Sequence, residues 1–369
     1  MHIVINGSDL GRQRGGNESY LVGMLDGMAA IAGETGVKLS LIVAGEGVLL
    51  LAERPTWRAF HVIDVGPYNR LPFFLWQQTL ALRSLRPGWM VSTFFLPPVT
   101  PCQAAVLIHD LSFRAHPEYF PRSIALYNRL LAGLAIRRAD RVIALSDFTR
   151  QEIKNFYPAA HQKSVIVYPG IGSEFTPGAG PGADAGMLAA LSVRKPYLLC
   201  VGNIHPRKNM HRLLAAWEQL RDARKPVPRM VWAGIGRWQT GDLLPRAERA
   251  GVQVLGFVPQ SHLPALLRQA EALAYPSLYE GFGLPPLEAM ACGTPVLTSN
   301  ATSLPEAVGE AAICVDATDL AALTGGLSQV LFDTELRRTL RARGLARATQ
   351  FTWERSARAL LGALTQAHT

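Results

Sequence analysis

Two series of short apolar runs, separated by amphipathic stretches, constrain the fold of this chain more than any other feature. HIVIN (2–6), LSLIVA (39–44), FHVIDV (60–65), WMVSTFF (89–95), AAVLIHD (104–110), RVIALS (141–146) and SVIVYPG (164–170) make the first series. YLLCVG (197–202), RMVWAG (229–234), VQVLGF (252–257), EALAYPS (271–277), PVLTS (295–299) and AAICVD (311–316) make the second. Short apolar runs alternating with helix-length segments are the pattern of βα units, because parallel strands need a crossover and a helix supplies it. Between the series lies PGAGPGADAG (177–186), which has no periodicity and reads as part of a linker over 177–196. The expected class is α/β, with two Rossmann-like, doubly wound domains, 1–176 and 197–353, facing each other across a central cleft. Open parallel sheets take ligands beyond the carboxyl ends of their strands. The functional residues should therefore lie on the loops that follow the apolar runs.

Composition agrees with two globular domains and narrows the function. A chain of 369 residues with 49% hydrophobic content can bury a sizeable core. It opens on a strand, not on a basic segment followed by an apolar one, and has no apolar run long enough to span a bilayer, so a soluble, cytoplasmic protein is expected. The four cysteines, Cys102, Cys200, Cys292 and Cys314, are far apart and without ligand spacing. They read as reduced core thiols, and no metal site is expected. The net charge of +9 is spread over both halves, with 17 Lys+Arg against 13 Asp+Glu in 1–176 and 20 against 15 beyond. Nucleic-acid binders concentrate their charge on one face. A diffuse positive field suits a phosphorylated substrate or an anionic membrane instead.

Four loops carry chemistry. DLGRQRGGNESY (9–20) is a glycine-rich turn before a helix, where the backbone at Gly15 and Gly16 can approach an anion. Its GxxxGG spacing is not the dinucleotide fingerprint, and a structural turn and a phosphate cradle both remain open. His109 sits in IHD at a strand end, on the side where ligands are expected. VGNIHPRKNMHRLL (201–214) puts Arg207 and Lys208 just before an amphipathic helix beginning near Asn209. Cations at a helix start oppose the macrodipole, which suggests an anion shared with that terminus. AYPSLYEGFGLPPLEAMACGTPVLTS (274–299) places Glu280 on a loop and Glu288 in the first turn of a short helix, where the dipole should keep Glu288 ionised. Between them the glycines let Phe282, Gly283 and Leu284 offer backbone donors at close range.

These residues carry a resemblance. LGFVPQSHLPALLRQAEALAYPSLYEGFGLPPLEAMACGTPVLTSNATSLPEAVGEAA (255–312) with GNIHPRKN (202–209) resembles the family 4 retaining glycosyltransferases of GT-B fold. GGNESYLVGML, LIHDLSFRAHPEYFP, ALSDFTRQEI, VYPGIGSEF and FTWERSARAL are similar to further family segments, so the likeness covers nearly the whole chain. GWMVST (88–93) departs from it, since relatives often open this strand with an acidic residue. The resemblance implies transfer of a hexose from a nucleotide diphosphate sugar to an acceptor hydroxyl with retained configuration, as in polysaccharide biosynthesis. It implies that Arg207 and Lys208 grip the diphosphate, near the loop opened by Gly202. Glu288 would take the ribose diol. Glu280 and the amides of Phe282, Gly283 and Leu284 would hold the sugar, with both carboxylates kept away from the diphosphate. Gly15, Gly16 and His109 would reach in from the first domain, and a last helix (354–369) would pack back onto it. No protein nucleophile is required.

The remaining expectations follow from these. GDP-mannose is the expected donor as co-substrate, with no bound cofactor and no metal, since no Asp-x-Asp pair occurs. The acceptor is expected to be a glycan or a lipid-linked glycan. A non-catalytic nucleotide-sugar-binding module would keep the cleft but lose a functional residue; every motif position is filled, so an enzyme is expected. An NAD-dependent oxidoreductase would need the missing fingerprint. PRSIALYNRLLAGLAIRRADR (121–141) combines an apolar face with Arg122, Arg129, Arg137, Arg138 and Arg141. Burial of that face against the sheet and peripheral contact with an anionic membrane at the cytoplasmic face are both open.

Overall fold

The computed structural model describes residues 1–12, 16–178, 182–223, 227–236 and 241–366. Each apolar run becomes a strand. The first series forms β1 (His2–Asn6), β2 (Lys38–Val43), β3 (Phe60–Asp64), β4 (Trp89–Thr93), β5 (Gln103–Ile108), β6 (Arg141–Ala144) and β7 (Ser164–Ile166). They pair in parallel in the order β3-β2-β1-β4-β5-β6-β7. The second series forms β8 (Tyr197–Val201), β9 (Arg229–Ala233), β10 (Gln253–Gly256), β11 (Ala272–Tyr275), β12 (Val296–Ser299) and β13 (Ile313–Val315). These are also parallel, in the order β10-β9-β8-β11-β12-β13. The central strands are buried on both faces, which is why they read as unbroken apolar runs and not as alternating ones.

Strand order fixes where a ligand can enter. Each sheet winds outward from its first strand and then returns to that strand's other side, so the order reverses between β1 and β4 and between β8 and β11. The loops leaving the carboxyl ends of such a strand pair diverge and leave a crevice. In the second sheet those loops hold residues 202–208 and 276–283. No helix among the described residues is long and apolar enough to cross a membrane.

The chain divides into two compact units, Met1–Gly170 with the chain from Phe351 onward, and Ile171–Gln350. The helix Trp353–Thr365 belongs to the first unit because three glycines make room for Trp353. A Cβ on Gly23 would meet the Trp353 ring at 1.9 Å, one on Gly27 its carbonyl oxygen at 2.2 Å, and one on Gly170 its amide nitrogen at 2.2 Å. The buried Arg141 guanidinium donates to the carbonyls of Ala363, at 3.0 Å, and Gln366, satisfying groups that a helix end leaves open.

The expected linker over 177–196 lies within the second unit. It contains the helix Ala185–Ala190, and Asp184 just before it receives Arg268 at 2.6 and 3.0 Å and Gln269 at 2.8 Å. A glycine- and proline-rich composition conceals that buried ion pair. In the first unit the helix Arg122–Arg138 buries Ala125, Ala132, Ala135 and Ile136, while Leu126, Leu130 and Leu134 stay exposed.

Candidate functional site

The site in the second unit is built where its strand order reverses. After β8 comes Gly202 (φ 122°), then a short 3-10 turn Pro206–Lys208, then Asn209 in the left-handed region (φ 59°). The helix starts at Met210, one residue beyond the expected start near Asn209. The Asn209 side chain donates through Nδ2 to the Ala317 carbonyl at 2.7 Å, which fixes the turn. Gly234, after β9, sits so close that a Cβ there would meet the Gly202 carbonyl oxygen at 2.0 Å. Only glycine allows those two backbones to touch.

Opposite this turn, the loop after β11 is held by hydroxyls from the end of β12 and the segment beyond it. Thr298 Oγ1 donates to the Tyr275 carbonyl at 2.9 Å, and Ser299 Oγ to the Ser277 carbonyl at 2.5 Å. The Glu280 amide donates to Thr302 Oγ1 at 3.1 Å, and Ser303 Oγ donates to the Glu280 carbonyl at 2.9 Å. The Leu278 amide then donates to the Arg207 carbonyl at 2.7 Å and joins the two loops.

Across that junction the charged side chains meet. Arg207 Nη1 lies 2.5 Å from Glu280 Oε2 and 3.0 Å from the Tyr279 carbonyl, and Lys208 Nζ lies 2.6 Å from Glu280 Oε1. Lys208 also reaches the Tyr275 hydroxyl and sits 4.3 Å from the centre of its ring. Burial alone would raise the Glu280 carboxyl, but the charges of Arg207 and Lys208 outweigh it and hold its pKa at about 2. Glu280 was expected near the sugar and away from the diphosphate, yet it pairs with both cations expected to grip that diphosphate. β8 and β11 are neighbours in the sheet, and this brings a residue of each loop into one cluster.

Glu288 has the opposite titration. The helix Leu284–Ala291 follows Gly283, whose φ of 106° favours glycine, and Pro285 and Pro286 leave the amides of Gly283 and Leu284 as donors at its start. Phe282 is buried beside them. Glu288 is the fifth helical residue, beyond the first turn, and is buried. Burial, with the charge of Glu174 second, pushes its pKa up to about 8, and a hydrogen bond with Gln260 offsets only part of this. The expectation that the helix dipole keeps Glu288 ionised is thereby corrected. Removal from water outweighs a terminus effect that fades within one turn.

The first unit holds the other expected residues. Gly15 lies outside the described residues. Gly16 opens the helix Gly16–Thr35, and a Cβ there would meet nothing within 4 Å, so sterics do not demand glycine at this position. His109 follows β5 and is buried between Phe94, stacked at 5.4 Å, and Tyr20, edge-on at 4.8 Å. Burial pushes its pKa down to about 4 against the pull of Asp110, so the imidazole is neutral at pH 7. Among the described residues its Nε2 has no hydrogen-bond partner.

Two family models match, Glycosyltransferase Family 4 over residues 14–175 and Glycosyl transferases group 1 over residues 189–347. The chain belongs to the family 4 glycosyltransferases. It is 35% identical to O-antigen chain mannosyltransferase B of Escherichia coli over 78% of this chain and 80% of that protein. It is 29% identical to the serotype-specific mannosyltransferase WbdA of Escherichia coli over 72% of this chain, spanning 34% of that longer protein. Sucrose-phosphate synthase of Thermosynechococcus elongatus superposes with a TM-score of 0.77, covering 98% of each chain at 19% identity. HepE of Anabaena, solved with UDP and glucose, superposes with a TM-score of 0.74 over 99% of each chain, also at 19% identity. The fold of this glycosyltransferase is GT-B.

Sequence reasoning did not single out Tyr275, Thr302 or Ser303. Tyr275 ends an apolar strand and reads as core, yet its hydroxyl receives Lys208. The density of hydroxyls in TSNATS (298–303) was the available signal, since several in six residues exceed what a solvated turn needs.

Proposed function

We propose that this glycosyltransferase moves mannose from GDP-mannose to a hydroxyl of a glycan or lipid-linked glycan, with retention and without a metal. The observation that carries the reading is the Arg207–Lys208–Glu280 cluster at the strand-order reversal of the second sheet. It gathers two cations and a glycine-lined backbone where a nucleotide diphosphate would lie. A guanidinium has five N–H groups and an ammonium three, so both can hold phosphate oxygens while keeping contact with Glu280. The likeness to O-antigen chain mannosyltransferase B supports mannose, and the complex of HepE with UDP and glucose supports a nucleotide sugar.

The chemistry then follows from charge. As the bond from the anomeric carbon to the diphosphate oxygen breaks, its electron pair passes to the diphosphate. Arg207 and Lys208 stabilise that growing charge. The acceptor oxygen attacks from the same face and its proton passes to the departing diphosphate. Glu280, ionised and committed to two cations, is a weak base and a poor nucleophile, which agrees with a step that uses neither. Gly202, Phe282, Gly283 and Leu284 bind the donor through backbone groups and Glu288 binds the ribose diol.

Incubation with a panel of sugar nucleotides, followed by separation of the products, tests the reading. GDP-mannose should be consumed fastest, slowly without acceptor and faster with a mannose-terminated glycan. Binding of a donor with no turnover on any acceptor would make the chain a non-catalytic module. Preferred turnover of a UDP-sugar would replace the donor and leave the reaction class standing.

A further inference from the structure

Three neighbouring segments of the first unit expose apolar side chains that a water-facing surface does not need. In the helix Arg122–Arg138, Leu126, Leu130 and Leu134 are 56%, 60% and 48% exposed and fall at i, i+4 and i+8. The same row continues to Arg122 at one end and Arg138 at the other, so an apolar stripe is closed by a cation at each end. Along residues 70–85, Leu71, Leu75, Trp76 and Leu80 are exposed as well. Between the two lies Val99, 48% exposed. Contacts show that these segments are adjacent: Arg70 packs over the Tyr127 ring at 4.4 Å, Thr79 donates to the Val99 carbonyl at 2.7 Å, and Arg138 donates to the carbonyls of Pro97 and Pro98. Eight of the twelve exposed large apolar side chains among the described residues belong to this one surface.

Charge decides what covers it. Residues 70–86 and 122–138 contain seven arginines and no Asp or Glu. A second copy of the chain, docking by two-fold symmetry, would set this cationic patch against itself. An anionic bilayer supplies what both chemistries require: phosphate headgroups for guanidinium groups whose stems lie along the apolar surface, and acyl chains for the leucines and Trp76. We infer that this surface docks the protein onto an anionic lipid bilayer, with residues 70–86 and the helix Arg122–Arg138 lying together in the headgroup layer. The inference rests on the exposed face and is independent of the reaction proposed above.

Vesicle sedimentation tests it, using phosphatidylcholine alone and phosphatidylcholine with about 30 mol% phosphatidylglycerol. The protein should pellet with the anionic vesicles, less so with the neutral ones, and release as salt rises. The double variant Leu130→Gln/Leu134→Gln, which alters only exposed positions, should lower the partition coefficient about tenfold or more, because one pair of leucines accounts for much of the inserted area. Brominated lipid should quench a component of tryptophan emission that Trp76→Phe removes. Equal recovery in the supernatant with both vesicles, or unchanged partition of the double variant, overturns the inference. So does light scattering that finds a dimer in the parent chain and a monomer in the variant, since the occupant would then be a second copy.

Discussion

Glu280 and Glu288 are separated by seven residues and titrate in opposite senses, and each sense has its own test. Glu288 titrates near 8 in the folded chain against an ordinary 4.5, so the folded state holds the extra proton. Its contribution to stability is fully present below about pH 4.5 and is lost as pH rises through about 8. Glu288→Gln should therefore raise the unfolding temperature at pH 8.5 by several degrees, at about 2–4 °C per kcal/mol for a unit of this size. The gain should vanish near pH 4; a gain of equal size at both pH values would sink the assignment. Ribose hydroxyls donating to the carboxylate favour its ionised form, so donor binding at pH 7 should release protons. Calorimetry in buffers of different ionisation enthalpy reads that release, and identical heats in all of them would refute it. At Glu280 the sign reverses: its contribution is present above about pH 4.5 and is lost as pH falls toward 2. Arg207→Ala and Lys208→Ala should each slow turnover by about tenfold to a hundredfold, the range set by roughly 1.5–3 kcal/mol for a charge-assisted hydrogen bond. Because Glu280 organises both cations, Glu280→Gln should weaken donor binding as well as lower kcat, and an unchanged donor KM would count against the cluster. The residue types of this site were legible in the sequence. The pairing of Glu280 with Arg207 and Lys208 was not, because it depends on β8 lying beside β11, a matter of strand order that no local pattern encodes.

At the scale of elements, the strands were the most legible feature. Every expected run forms one, and the central strands are the plainest because a strand buried on both faces must be apolar throughout. The face a helix presents was harder to read. In the helix Arg122–Arg138 three alanines and Ile136 pack inward while Leu126, Leu130 and Leu134 point outward, so both sides carry apolar residues and hydrophobicity alone does not single out the buried one. Close helix contact was equally hidden, although Gly23 and Gly27 carry it. Gly27→Ala would drive a Cβ into the Trp353 carbonyl, a backbone atom that cannot rotate away, and should cost about 1–3 kcal/mol. Gly33→Ala in the same helix is the control: a Cβ there meets nothing within 4 Å, and alanine favours the helix by roughly 0.8–1 kcal/mol. Thermal unfolding and proteolysis of the C-terminal helix should separate the two variants, and equal behaviour would show that Trp353 does not dock where those glycines make room.

At the scale of the whole molecule, the electrostatics of transfer should need nothing beyond the chain. In the proposed reaction Arg207 and Lys208 would supply the positive charge that a divalent ion supplies in transferases with paired acids. Turnover in EDTA should match the untreated rate, and loss on chelation with recovery on adding magnesium or manganese would contradict this. The two-unit division was legible except at its joints, because the glycine-rich stretch after residue 176 looks like a connector while Asp184 and Arg268 tie it down. The joints carry a consequence of their own. Gly170, where the first unit breaks off, lies against Thr352 and Trp353, where it resumes, and the Tyr168 and Phe351 rings meet at 6.1 Å. The second unit is thus an insert whose two attachment points on its host are neighbours. Recombination should therefore be able to lift residues 171–350 out as one cassette and seat another in the same gap without redesigning the host. A short linker from 170 to 351 likewise closes the first unit into a single continuous chain, whereas simple truncation at 170 leaves the groove of Gly23 and Gly27 unfilled.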